Sequence, residues 1–172
     1  HYLADEGHVL PFRHPQITLR IKAPIFVARQ LGKTQVGFSW SEESRRYIDS
    51  EPEFFWPDRF RSKAANVKQG SGGNVSNELE ETTTEDVKHA ITVAGDTYNR
   101  MLQSGVGPEL ARIILPQNMY TTFVWTGSLL GYCQMLKLRR EAHAQKETRD
   151  LANMIANVIR PLYPVSYSAL MC

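Results

Sequence analysis

Cysteine is nearly missing from this 172-residue chain, which has only Cys133 and Cys172. Neither lies in a Cys-x-x-Cys pair or in a Cys/His spacing suited to a metal ion, so a disulfide scaffold and a zinc module are excluded and no metal is expected. No apolar run approaches the roughly eighteen residues that span a bilayer, and His1 does not open an apolar leader, so a cytoplasmic setting is expected, or the host cytoplasm for a virus-encoded chain. Charge of one sign is scarce as well. Twenty Lys and Arg against 18 Asp and Glu leave a net +2, which argues against a dedicated nucleic-acid surface. Internal repeats are absent, and the glycines at 70, 72 and 73 lack the Lys-Ser/Thr ending of a phosphate loop. What is present, 42% hydrophobic and 22% charged residues, fits one domain long enough to bury a sizeable core.

Patterning divides the chain into short elements. Pro11 and Phe12 after Gly7 predict a turn, and residues 16–22 alternate, with Ile17, Leu19 and Ile21 on one face of a strand. Pro24 opens a helix that stops near Gly32, and residues 36–40 are strand-like. Phe54, Phe55, Trp56 and Phe60 are expected in a core or an interface. The polar stretch 62–81 predicts a flexible surface loop. Thr82 to Glu85 then predicts a capping box, and Val87, Ile91, Ala94, Tyr98 and Met101 recur at helical spacing until Gly105. Pro108 opens a short helix containing Arg112 that Pro116 closes, and residues 119–125 form a strand. Helices are predicted over 127–140 and from 146 to Pro161, the latter with Leu151, Met154, Ile155, Val158 and Ile159 on one stripe. Cys133 is expected in the core, and Arg59 and Arg61 in solvent.

The densest chemistry lies in residues 22–47, where an apolar run gives way to amide, ammonium, hydroxyl, carboxylate and guanidinium groups. Ser44, Arg45 and Arg46 set a hydroxyl beside two planar cations that donate paired hydrogen bonds to phosphate. The same residues also suit a solvated turn whose arginines pair with Glu42, Glu43, Asp49 or Glu51. Residue types alone leave both open.

KAPIFVARQ, followed by a polar triplet and then by EESRRY, resembles the signature region of the flavin-dependent thymidylate synthases, the ThyX family. GHVLPFRH at 7–14, GVGPELARIILPQNMYTTFVWTGS and LKLRREAHAQ resemble further segments of it, so the likeness covers nearly the whole chain. The resemblance implies an α+β fold: a single domain over 1–172 with a mixed or antiparallel sheet and flanking helices, preceded in the family by a further N-terminal segment. It also implies a homotetramer whose sites draw on several chains.

Carried over position by position, the resemblance places dUMP against Gln30, Lys33, Glu42 and Ser44, and against Arg45, Arg46, Arg112 and Arg139. Arg139 matches the arginine credited with ionising N3 of the uracil and is the expected catalytic residue. FAD would be held by His8, Leu10, Lys33, Thr34 and Gln35, and by Glu42, Ser128, Leu130 and Gln134. Lys33-Thr34-Gln35 stands where the family has Arg-His-Arg, and Leu10, Ser128, Leu130 and Gln134 replace its usual Ser/Thr, Asn, Arg and Asn. Such changes imply cofactor binding through other donors, backbone amides among them. The implied reaction is methylene transfer from methylenetetrahydrofolate to C5 of dUMP, completed with reducing equivalents from NADPH through FAD. A hydroxymethylating relative, and a non-catalytic nucleotide- or nucleic-acid-binding one, remain open alternatives.

Overall fold

The computed structural model describes residues 1–48, 50–64 and 70–172. A short helix α1 (Tyr2–Asp5) and a 3-10 turn (Leu10–Arg13) lead into strand β1 (Gln16–Pro24). Ile17 and Ile21 are buried and Leu19 packs with them, as the alternation predicts. Pro24 is extended (ψ 147°) and stands just before helix α2 (Ile25–Leu31), which ends at Gly32 and buries Val27, Ala28 and Leu31. Proline suits that junction because the first helical N–H groups have no intrahelical partner to lose.

Strand β2 (Phe38–Glu42) comes next, and β3 (Arg61–Lys63) pairs with β4 (Ser71–Asn74). The stretch expected as a loop over 62–81 is therefore partly a hairpin, with 65–69 outside the described residues. Helix α3 (Asn77–Gln103) begins five residues before the predicted box. Ser76 is its cap, accepting from the Leu79 N–H at 3.3 Å. Thr82 lies inside the helix, where its hydroxyl donates to the Glu78 carbonyl at 2.9 Å. The helix formers Glu78, Leu79, Glu80 and Glu81, with acid in the first turn, extend the helix back to Ser76.

After α4 (Pro108–Ala111) and a 3-10 turn (Arg112–Ile114), strand β5 (Tyr120–Ser128) runs into α5 (Leu129–Arg139), followed by α6 (Lys146–Leu162) and α7 (Pro164–Met171). The main sheet is antiparallel in the order β1-β5-β2, with Leu19 and Trp40 both opposite Trp125. Its inner face carries a stack of aromatics. Phe38 lies on Trp125 with ring centroids 4.4 Å apart, and Trp40 on Phe123 at 3.7 Å. Gly127, opposite Phe38, leaves the room: a Cβ there would come within 2.4 Å of the Phe38 ring.

Helix α5 is the centre of the core, buried from Leu129 to Leu136 except Gln134. Tyr132 ties it to the sheet by donating to the Trp125 carbonyl at 2.7 Å. The predicted stripe on α6 is displaced: Met154 and Val158 are exposed, while Thr148, Ala152, Ile155, Ala156 and Ile159 face inward. Small residues are favoured there because α6 approaches both α5 and α2. Phe54, Phe55, Trp56 and Phe60 are at most half-buried in this chain. Phe54 bridges to Met119, and the Phe55 ring meets the edge of Phe26 at 5.7 Å.

Candidate functional site

Two clefts open around the end of β2. The larger, ≈ 810 Å³, is lined by Arg29, Glu42, Arg45 and Arg112, with Arg20 and Lys22 reaching in from β1. The second, ≈ 740 Å³, has Lys33, Thr34 and Gln35 on its rim and Phe38, Trp40 and Trp125 among its walls. Glu42 and Arg29 line both. Glu42 holds this place because β2 projects it on the same face as Phe38 and Trp40, and Thr121 of β5 donates to its Oε1 at 2.7 Å.

The cations of the larger cleft differ in what already occupies them. Arg20 pairs with Glu43 at 3.4 Å and Lys22 with Glu53 at 2.7 Å. Arg45 donates to the Ser50 carbonyl at 2.6 Å and Arg112 to the Glu109 carbonyl at 3.2 Å. Among the described residues neither has a carboxylate partner, and Arg29 has no hydrogen-bond partner. The predicted alternative, a turn whose Arg45 and Arg46 pair with Glu42, Glu43 or Glu51, is not formed; Asp49 lies outside the described residues. Three guanidiniums around one cleft that have no carboxylate partner among the described residues favour an anionic ligand, because each would gain a charge-assisted bond there.

Ser44 and Arg46 form a local pair. The Ser44 hydroxyl accepts from the Arg46 backbone N–H at 3.3 Å and from its Nε at 3.0 Å, and the guanidinium lies 5.1 Å from the Tyr47 ring centroid. Among the described residues the Ser44 hydroxyl is bonded only to Arg46 and to no general base, so it is not set up there as a nucleophile. Cys133 is no alternative: it is 1% exposed, and burial pushes its thiol up to about 11, against a smaller opposing pull from Lys137.

The remaining candidates lie elsewhere. Gln30 and Arg139 meet at the last turn of α2, where Arg139 Nη2 donates to the Gln30 carbonyl at 2.7 Å. The Gln30 side chain is engaged by Thr148 and Gln145 of the α6 region. His8 and Leu10 are exposed near the start of the chain. Ser128 caps α5, accepting from the Gly131 N–H at 3.1 Å; Leu130 is buried and Gln134 exposed. None of these seven lines either cleft, and neither do Ser44 and Arg46.

Sequence reasoning missed Arg29, which stands there only within KAPIFVARQ, without a role. It also missed Arg61, expected in solvent, whose Nη2 donates to both carboxylate oxygens of Glu147 at 2.6 and 2.9 Å, and Arg59, which bonds Glu80, Val75 and Asn77. Nothing local in the sequence marks partners 86 residues apart.

An antiparallel three-stranded sheet backed by helices, with a cationic cleft and an aromatic cleft joined at one carboxylate, defines an α+β domain built around a ligand site. The chain belongs to the thymidylate synthase complementing protein family, whose model matches residues 1–165. It is 36% identical to a flavin-dependent thymidylate synthase of Thermosipho africanus over 98% of this chain and 73% of that protein. It is also 36% identical to one from Thermus thermophilus, covering 98% of this chain and 61% of that protein. Among solved structures, the UMP/dUMP methylase PolB of Streptomyces cacaoi bound to 5-bromo-UMP superposes with a TM-score of 0.88 at 29% identity, over 98% of this chain and 78% of that one. No helix among the described residues is long and apolar enough to cross a membrane.

Proposed function

We propose that this chain is a flavin-dependent thymidylate synthase that methylates dUMP at C5 with the methylene of methylenetetrahydrofolate. The observation that carries the reading is the junction at Glu42 and Arg29, where a cleft whose guanidiniums have no carboxylate partner among the described residues meets one walled by Phe38, Trp40 and Trp125. A phosphorylated nucleotide suits the first, and a planar ring system the second.

Arg45, Arg46 and Arg112, with Ser44, would hold the nucleotide phosphate, and Glu42 would accept from a ligand N–H or O–H at the junction. Arg139 would face the pyrimidine, where a fixed guanidinium stabilises negative charge developing on the ring. Lys33, Thr34 and Gln35 offer an ammonium, a hydroxyl and an amide beside the aromatic wall, a donor set that fits FAD. When bound, the flavin supplies the reducing equivalents, drawn from NADPH, that complete the methyl group. The thiol of Cys133 takes no part, since a buried, protonated sulfur is not a nucleophile.

His8, Leu10, Ser128, Leu130 and Gln134 lie outside both clefts of their own protomer. Their separation supports a homotetramer in which one chain completes the flavin site of another. The test is incubation of the full-length protein with FAD, NADPH, methylenetetrahydrofolate and dUMP, or UMP in its place, with the product identified by mass. Thymidylate supports the reading. A hydroxymethyl nucleotide would reassign the reaction, and no product with no bound flavin would overturn it.

A further inference from the structure

A chain of hydrogen bonds runs from Arg61 to Arg139, and its polarity is set at one end by a carboxylate. Glu147 is only an acceptor, and it takes two bonds from Arg61 Nη2, at 2.6 and 2.9 Å. It therefore requires the NH₂ of Gln145, which donates to Glu147 Oε2 at 2.9 Å. That turns the Gln145 oxygen toward Gln30, whose Nε2 donates to it. The Gln30 oxygen then faces Thr148, whose hydroxyl donates to it at 3.0 Å. Thr148 is 0% exposed, so its hydroxyl has no water to turn to.

Both polar ends of the Gln30 side chain are thus committed inside the protein. What Gln30 presents onward is its backbone carbonyl, one of the last four of α2 and so without an intrahelical partner. Arg139 Nη2 fills that vacancy at 2.7 Å. Arg139 Nε is buried and has no partner among the described residues, so the guanidinium is held at one nitrogen and keeps other donors unused.

We propose that Gln145 and Thr148 are positioning residues for the reaction: by gripping the Gln30 amide from α6, they fix the α2 carbonyl that aims Arg139. The inference rests on the reading in which Arg139 faces the pyrimidine. It gives Gln30 a role different from direct nucleotide binding. A guanidinium on a long flexible stem is poorly oriented unless its bonding partner is rigid, and displacement by about 1 Å costs on the order of a hundred-fold in rate. Glu147 and Arg61 extend the same control to the β3–β4 hairpin.

The probe is 5-bromo-dUMP, whose ring N3 is more acidic than that of dUMP and whose ionisation changes its ultraviolet spectrum. Titrated across pH on the flavin-loaded, full-length protein, the bound ligand reports how well Arg139 stabilises the N3 anion. Thr148→Val keeps the side-chain volume and deletes the donor. It is expected to weaken stabilisation of the anion about ten-fold and lower kcat by a similar factor, with KM for dUMP changed less than two-fold. Thr148→Ser, which restores the hydroxyl, should retain the wild-type curve. If Thr148→Val does not fold, Gln145→Met decides by the same readout. A folded variant of either kind with wild-type ionisation and kcat overturns the proposal, even if its melting temperature falls, because the residues would then be structural only. Arg139→Lys separates the two levels. If it shifts the curve and Thr148→Val does not, the positioning role alone fails; if it shifts nothing, Arg139 is not at the ring and both readings fall.

Discussion

Thr121 Oγ1 donates to Glu42 Oε1 at 2.7 Å, and this bond, between two side chains on the inner face of adjacent strands, holds a carboxylate at the boundary of two clefts. Trp40 Nε1 lies 3.4 Å from the other oxygen, a long contact that leaves it available to a ligand. Glu42→Gln is accordingly expected to weaken dUMP binding about five- to ten-fold, the loss of one charge-assisted bond, while Thr121→Val, which only loosens the carboxylate, costs two- to three-fold. Calorimetric titration of each variant checks the order; equal effects would mean that Thr121 itself meets the ligand.

The cleft cations separate from their neighbours in a comparison of three alanines. Arg45→Ala and Arg112→Ala each remove a guanidinium with no carboxylate partner among the described residues and should cost roughly 1.5–3 kcal/mol of nucleotide affinity. Arg59→Ala should leave affinity unchanged and lower thermal stability, since Arg59 bonds Glu80, Val75 and Asn77 and lies outside the cationic cleft. A loss of dUMP binding in the Arg59 variant that matched the other two would misplace the site.

At Gly127 the limit is steric. A methyl there would sit 2.4 Å from the Phe38 ring, so Gly127→Ala should destabilise by about 1–3 kcal/mol as Phe38 is pushed off Trp125. Adding Phe38→Leu should recover part of it. Urea midpoints of the single and double variants measure the recovery, and additive losses would rule the contact out.

Acid should act through Glu147. Burial works against its carboxylate, but bonds from Arg61, its own backbone N–H and Gln145, with the Arg61 charge, outweigh that and hold its pKa below the ordinary value. A depressed folded-state pKa contributes stability above the unfolded value, and that contribution is lost as pH falls through the folded one. Wild-type denaturation midpoints should therefore drop below the ordinary carboxylate range more steeply than those of Glu147→Gln. Parallel acid limbs would show that the Arg61 pair adds nothing.

Thiol labelling distinguishes the two cysteines. Cys172 is exposed and Cys133 buried with its pKa raised to about 11, so at neutral pH the folded chain should take one label and the denatured chain two. Labelling of both without unfolding would contradict the buried position.

Local physics made much of the fold legible. The alternation of Ile17, Leu19 and Ile21 forced a strand with one buried face, Pro24 and Gly32 bracketed α2, and Gly105, at φ 86°, stands just past the end of α3. These are near-neighbour effects, and sequence records near neighbours. The run from Gln30 to Arg46 likewise declared its chemistry by composition, and its likeness to a known family supplied an expected ligand set. The start of α3 was misjudged because Thr82-Thr83-Thr84-Glu85 satisfies the capping pattern as well as Ser76 does, and only the chain around them decides which is used.

Partnership at long range was decided by the tertiary structure alone. Which cations are free could not be read locally: Arg61 looked solvated and is clasped by Glu147, while Arg45 looked pairable and has no carboxylate partner among the described residues. Gln30 carries an amide that could serve a ligand, yet Thr148 and Gln145, more than a hundred residues away, take both of its polar atoms. Chain order and composition set which groups are present and which short elements carry them. Their commitments depend on distances between elements that sidechain packing sets, and a charge or an amide becomes available to a ligand only where that packing leaves it unpaired.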